Sequence, residues 1–280
     1  MNHLTGQQSK NGNEEMEIHL ENTPENFSAS ALNKFFLEVA SLTLFTLHFF
    51  KEVLKPPYEL FELMKQSFLI GYKSLPLVSI TGFIIGLVLT IQSRPTLVKF
   101  GAESLLPAMV AVSIIREIVP VITALIFAGK VGSGIGAELA SMNVTEQIDA
   151  MQVSGTNPFN YLVVTRVLAA TVMLPLLVVY ADAVGLLGAF VGVNLKGNVS
   201  AFLFFSQVFH SLDFKDVFPA FIKTFFLGFA IGLIGCYKGY HSDKGTEGVG
   251  KAANSAVVFG SLMVFIIDMI AVQITSLFQN

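Results

Sequence analysis

The sequence predicts an all-α membrane protein: an N-terminal interfacial helix, five transmembrane helices, and a short amphipathic helix on the cytoplasmic side. Three observations predict it. The 280 residues are 53% hydrophobic and only 13% charged, with mean hydropathy +0.66, whereas a soluble domain carries about 25% charged residues. The apolar residues gather into long runs, the cleanest being Ser74–Ser93, 20 residues without a charge and long enough for one crossing. Between two such runs lies a polar stretch, residues 129–158 (GKVGSGIGAELASMNVTEQIDAMQVSGTNP), far longer than a turn between spans requires.

Composition also excludes. A net charge of −3 argues against nucleic acid as a partner. A single cysteine, Cys236, rules out an internal disulfide framework, and the histidines at 3, 19, 48, 210 and 241 lack metal-ligand spacing.

Taken in order, residues 1–33 are polar and acidic (Glu14, Glu15, Glu17, Glu21, Glu25) and lack the basic start and apolar run of a secretory signal. They read as a disordered cytoplasmic tail. Residues 34–57 are apolar but interrupted by Glu38, Lys51, Glu52 and Lys55 before Pro56-Pro57. The uncharged part is too short for about 30 Å of hydrocarbon, so an interfacial helix is expected, with a true span as the alternative. A five-helix domain over 66–280 follows, with spans at Ser74–Ser93, Leu105–Lys130, Tyr161–Val193, Val217–Lys238 and Ala253–Phe278. Gln92, Arg94 and Pro95 end the first span, shaping an outer mouth or simply stopping the helix. Residues 199–212 are apolar but short, and are placed at the outer surface.

Orientation follows the basic residues. One side carries Lys51, Lys55, Lys65, Lys73, Lys130, Arg166, Lys238, Lys244 and Lys251, and the other only Arg94, Lys99, Lys196 and Lys215. The richer side is expected to be cytoplasmic, with the N-terminus and residues 129–158 inside and the C-terminus outside. Small residues four apart (Ala181 and Gly185, Gly188 and Gly192, Gly228 and Gly232) let helices approach closely, within the subunit or along a dimer seam.

Arg116 and Glu117 fall near the middle of their span. A charge there costs about 2.5–3.5 kcal/mol on insertion scales, and intramembrane charges default to function. Neighbouring helical residues point about 100° apart, so each needs a partner of its own. Lys223 and Asp268, on the fourth and fifth spans, are the candidates. The competing reading is a structural ion-pair network that fixes helix register. Asp182, among small residues of its span, is open to either reading. In the polar stretch, Asn143 is expected to N-cap a helix with Glu146 at its third position, Val144, Ile148 and Met151 on one face, and Gly155 with Asn157-Pro158 ending it. Such a helix suits a partner's groove, or packs on its own bundle. Residues 245–251 have G-x-x-x-x-G-K spacing, but Ala252 replaces the magnesium-holding hydroxyl and no strand precedes it. Nucleotide binding is therefore rejected.

The run IIREIVPVITALIFAGKVGSGIGAELASMNVTEQIDAMQVSGTNPFNYLVVTRVLA (114–169), with GTEGVGKAANSAVV (245–258) and the Asp268 span, resembles the MlaE permease family, the membrane subunits of MCE-associated ABC transporters. The resemblance implies a homodimer in the bacterial inner membrane, two cytoplasmic ATPase subunits below it, and periplasmic MCE-domain subunits above. It implies phospholipid as cargo, moved between the inner membrane and a periplasmic route that maintains outer-membrane asymmetry. ATP and magnesium then belong to the partner ATPase, and no cofactor is expected in this chain. The family's coupling helix matches 144–153, so Val144, Glu146, Ile148, Asp149 and Met151, preceded by Glu138, are the expected ATPase-coupling residues. Its lipid cavity, between the subunits, places Arg116 and Glu117, and by looser correspondence Lys223 and Asp268, as lipid-cavity residues. Two other classes stand against this: an ion- or proton-coupled secondary transporter using Glu117 and Asp268 as relays, and a passive scaffold for MCE subunits.

Overall fold

The structure, a computed structural model, describes residues 24–56, 58–195 and 197–279. The acidic stretch read from residues 1–23 and the charge contributed by Lys196 lie outside the described residues. The described residues up to Lys51 belong to one unit and those from Glu52 onward to a second.

Helix α1 (Pro24–Val53) starts ten residues before the expected 34, so residues 24–33 are helical. It leaves Phe36, Leu37, Leu44 and Leu47 exposed. The second unit is helical throughout, with no strand among its described residues. Five of its helices are long and apolar enough to cross a membrane. They are α2 (Leu60–Lys99), α3 (Glu103–Val144), α5 (Phe159–Asn194), α7 (Phe214–Tyr240) and α8 (Thr246–Gln279). Two short helices, α4 (Gln147–Val153) and α6 (Ala201–Ser211), connect them.

Several helices run past the expected spans: α2 already begins at Leu60 rather than Ser74, and α8 at Thr246 rather than Ala253. α2 does not stop at Arg94 and Pro95 but continues to Lys99, 40 residues in all, or about 60 Å. Charges there mark where hydrocarbon ends, which is not where a helix must end. Likewise residues 129–144 are not loop: α3 stays helical through Gly129, Gly132, Gly134 and Gly136 to Val144. In a membrane bundle glycine is a packing residue. A Cβ on Gly235 of α7 would sit 2.9 Å from the Gly132 carbonyl, and one on Gly239 2.7 Å from that of Gly136.

The same logic joins α2 to α5. A Cβ on Gly86 would run into the Gly185 carbonyl, and one on Gly188 into that of Phe83. On α7, a Cβ at Gly228 would lie 2.6 Å from the Ala170 carbonyl and one at Gly232 2.9 Å from the Ala170 methyl. The small-residue pairs are thus used inside the subunit.

α6, at 11 residues, reaches about half a bilayer. The Ser200 oxygen accepts from the Leu203 N–H at 3.3 Å and caps it. Its Phe204 and Val208 are fully buried in one cluster with Leu106, Val110 and Ile114 of α3 and Val193 of α5. At this end Arg94 ties the helix tips together, pairing with Glu103 at 2.6 Å and donating to the Val193 carbonyl at 3.2 Å.

Candidate functional site

A change of helical pitch positions the charged residues. Residues Ile114–Ile118 form a π-turn within α3, in which the Val119 N–H bonds the Ile114 carbonyl five residues back. Pro120 explains it locally. It has no N–H to give the Arg116 carbonyl, and in a regular helix its ring would clash with that carbonyl. Single π-turns are frequent at functional sites, and this one carries Arg116 and Glu117.

The two side chains take different partners. Glu117 Oε2 accepts from Lys223 Nζ at 2.6 Å, and the same ammonium donates to Asp268 Oδ1 at 2.9 Å. Arg116 Nη1 lies 3.3 Å from Asp216 Oδ1. Lys223 is buried, whereas Glu117 and Arg116 are partly open to a narrow cleft of about 20 Å³ that Lys215, Asp216, Pro219 and Thr275 also line. The four residues predicted from sequence therefore meet in one place, from three helices. Lys223 bridges two carboxylates, and with Lys215, which also lines the cleft, the charged groups Arg116, Lys215, Lys223, Glu117, Asp216 and Asp268 sum to zero. The arrangement offers both signs of charge within an apolar bundle.

Asp216 was missed. An acid in a helix's first turn reads as an ordinary partner of the helix dipole. Its signal was spacing: Asp216, Ala220 and Lys223 lie at i, i+4 and i+7 on one stripe of α7. Asp182 is not in this cluster, and its Oδ1 has no hydrogen-bond partner among the described residues.

The far end of the spans carries the second set of predicted residues. A further π-turn, Ala128–Gly132, holds Lys130, whose ammonium donates to the Lys73 carbonyl of α2. Past Val144 the chain turns at Glu146, which takes a left-handed conformation (φ 58°) and begins α4. Asn143 is therefore not the N-cap. It lies within α3, and its Nδ2 donates to the Ser242 carbonyl at 3.0 Å, tying α3 to the segment after α7. Gly155 (φ 79°) ends α4 as expected. Asn157 Oδ1 then accepts from the N–H groups of Phe159 and Asn160 at 3.1 and 3.3 Å, capping α5, while its Nδ2 donates to Glu52 Oε2 at 2.8 Å.

On α4, Ile148 is buried in its own chain and Met151 half-buried, whereas Val144, expected on the same helix, is the half-buried last residue of α3, separated from α4 by the turn at Glu146. The surface turned outward is Glu146, Asp149 and Val153, the last 89% exposed. The predicted apolar face thus anchors the helix, and an adjacent face is left for a partner. Glu138 accepts from Arg166 Nη2 at 2.9 Å, bracing α3 against α5. Phe159 packs edge-on against Tyr240 at 6.1 Å, bracing α5 against α7.

Comparison with known proteins agrees with this architecture. Residues 63–274 match the family model described as Permease MlaE. A probable ABC transporter permease protein of Rickettsia typhi is 39% identical over 241 residues, covering 86% of this chain and 93% of the relative. A probable ABC transporter permease protein of Synechocystis is 33% identical, covering 85% and 91%. The intermembrane phospholipid transport system permease protein MlaE of Haemophilus influenzae is 35% identical over 214 residues, covering 76% and 82%. A multi-pass helical bundle, matched along most of its length by ABC transporter permeases, identifies the chain as a permease subunit belonging to the MlaE permease family.

Proposed function

We propose that this permease moves phospholipid, driven by a separate ATPase subunit. The observation that carries the proposal is the bridged cluster Glu117–Lys223–Asp268 beside Arg116, open to a cleft within an apolar bundle. A phospholipid combines a charged head with apolar tails, and a charged cluster set among apolar helices offers contacts to both. The name of the Haemophilus influenzae relative supports the same cargo. Two copies of the chain enclose the lipid, in the bacterial inner membrane. The α4 end is cytoplasmic, the chain's N-terminus lies on that side and its C-terminus outside, and MCE-domain subunits receive the lipid at the outer end.

Energy enters through α4. The ATPase rests on Glu146, Asp149 and Val153, while Ile148 holds the helix to the bundle, with Val144 and Met151 beside it. Closure of the ATPase pair on ATP, held with magnesium in those subunits, displaces α4 and the end of α3. Asn143–Ser242 and Phe159–Tyr240 pass the displacement to α7. The other end of α7 carries Asp216 and Lys223, so the same rigid helix shifts the charges facing the lipid. The Arg166–Glu138 pair keeps α3 and α5 moving together.

Glu117→Lys tests the proposal. It removes one of the two carboxylates on Lys223 and adds a third cation. Cells carrying it are expected to lose outer-membrane detergent resistance while the complex still assembles. Normal resistance at normal abundance would contradict a transport role for the cluster. A second reading, a proton-coupled carrier, is favoured by one observation, the single ammonium between two carboxylates. It requires lipid or ion movement without any ATPase.

A further inference from the structure

A second cleft, of about 560 Å³, lies at the α4 end of the bundle, within the about 300–1,000 Å³ typical of small-ligand sites. Glu62, Lys65 and Gln66 of α2, Glu138 of α3, and Tyr161 and Arg166 of α5 line it, and Gln147, the first residue of α4, closes one side. Its two ion pairs share one design. In each, a buried member fixes an exposed one: the Glu62 side chain (7% exposed) holds Lys65 (56%) at 3.2 Å, and Arg166 (3%) holds Glu138 (55%) at 2.9 Å. The buried members are held independently of their partners. Glu62 also accepts from Gln66 Nε2 at 2.8 Å and from the Tyr161 hydroxyl at 3.2 Å. Arg166 Nη1 donates to the Leu162 carbonyl at 3.0 Å. Arg166 Nε has no hydrogen-bond partner among the described residues, although a buried guanidinium N–H ordinarily finds one.

The cleft therefore presents one accessible ammonium and one accessible carboxylate, and its ionisable lining is electrically neutral. A purely anionic or purely cationic ligand gains from one group and is repelled by the other. A zwitterion gains from both. The neighbouring stripe of α2 sets the rest of the ligand: Phe61, Met64, Phe68 and Tyr72 recur at helical spacing and are exposed, with Phe68 and Tyr72 stacked at 5.5 Å. A molecule with its head in the cleft has an apolar surface beside it for its tails.

We infer that this cleft binds the headgroup of a zwitterionic phospholipid from the membrane leaflet on the α4 side, its phosphate at Lys65 with the spare Arg166 donor behind it and its ammonium at Glu138. The inference rests on phospholipid being the cargo. It adds a second lipid station, distinct from the Glu117–Lys223–Asp268 cleft. Because Gln147 forms part of the wall, movement of α4 alters the site, which places lipid exchange with that leaflet under the same control as the rest of the bundle.

The test uses the permease–ATPase complex in nanodiscs containing phosphatidylethanolamine with a photoreactive group near its glycerol, or phosphatidylglycerol carrying the same group. Phosphatidylethanolamine is expected to label peptides spanning 62–69 and 138–147, and phosphatidylglycerol to label them weakly. The doubly neutral variant Lys65→Gln/Glu138→Gln, altered only at exposed side chains, is expected to lower that labelling at least about tenfold, since it removes two charged hydrogen bonds each worth about that much. Equal labelling by both lipids, labelling unchanged in the variant, or cross-links showing the ATPase seated in the cleft would each overturn the inference. ATP-dependent lipid transfer is measured on the same preparation. Transfer without headgroup labelling removes only this station, whereas loss of transfer in the unaltered complex removes phospholipid as the cargo.

Discussion

Lys223 is the side chain on which the charged cleft depends, because it is buried and bridges two carboxylates from two other helices. Removing one member of a buried charge network leaves the others uncompensated, at about 3–5 kcal/mol. Lys223→Ala is therefore expected to lower the thermal midpoint of the purified protein sharply. Lys223→Met combined with Glu117→Gln and Asp268→Asn is expected to restore most of that stability while lipid transfer stays lost. A triple variant that transports normally would reduce the cluster to a structural tie. Four of these charges were legible in the sequence because an apolar background makes each one conspicuous. Asp216 was not, because acids are common in first helical turns. Nor was the π-turn at Ile114–Ile118; only Pro120 hinted that regular pitch would fail near Arg116.

Among the elements, α2 and α5 are joined by backbone contact at Gly86, Gly185 and Gly188. Gly188→Leu must push the helices apart at Phe83, and overpacking of this kind costs about 1–3 kcal/mol or more. It is expected to lower the yield of folded protein on size-exclusion chromatography, and a normal profile would show that the pair tolerates separation. α4 separates two roles. Asp149→Lys with Val153→Glu is expected to abolish ATPase co-purification at unchanged thermal stability, whereas Ile148→Ala is expected to cost about 2–5 kcal/mol of stability through its buried side chain. If the exposed pair can be changed without loss of the ATPase, the docking face lies elsewhere. The spans themselves were readable from apolar run length. Their ends were not, at Pro95 and at Gly129–Gly136, because hydropathy reports where lipid stops, and a helix continues past that point wherever neighbouring helices still pack on it. The expected cap at Asn143 failed for a tertiary reason: its side chain is used by Ser242.

Across the whole molecule, α7 connects the two ends. Its 27 residues span about 40 Å. One end is braced against α5 near α4 by Tyr240 and Phe159, and the other carries Lys223 and Asp216. Family membership was legible in the sequence because the run from Ile114 to Ala169 holds Arg116 and Glu117, the packing glycines and the α4 residues in one continuous stretch. In the proposed cycle, energy applied at α4 moves lipid held at Lys223. The most direct measurement is transfer of labelled phospholipid from proteoliposomes containing the permease with its ATPase, with and without ATP and with and without a proton gradient. The account predicts transfer that requires the ATPase and ATP, disappears with Glu117→Lys, and is indifferent to the gradient. Transfer driven by the gradient in the absence of the ATPase would contradict it.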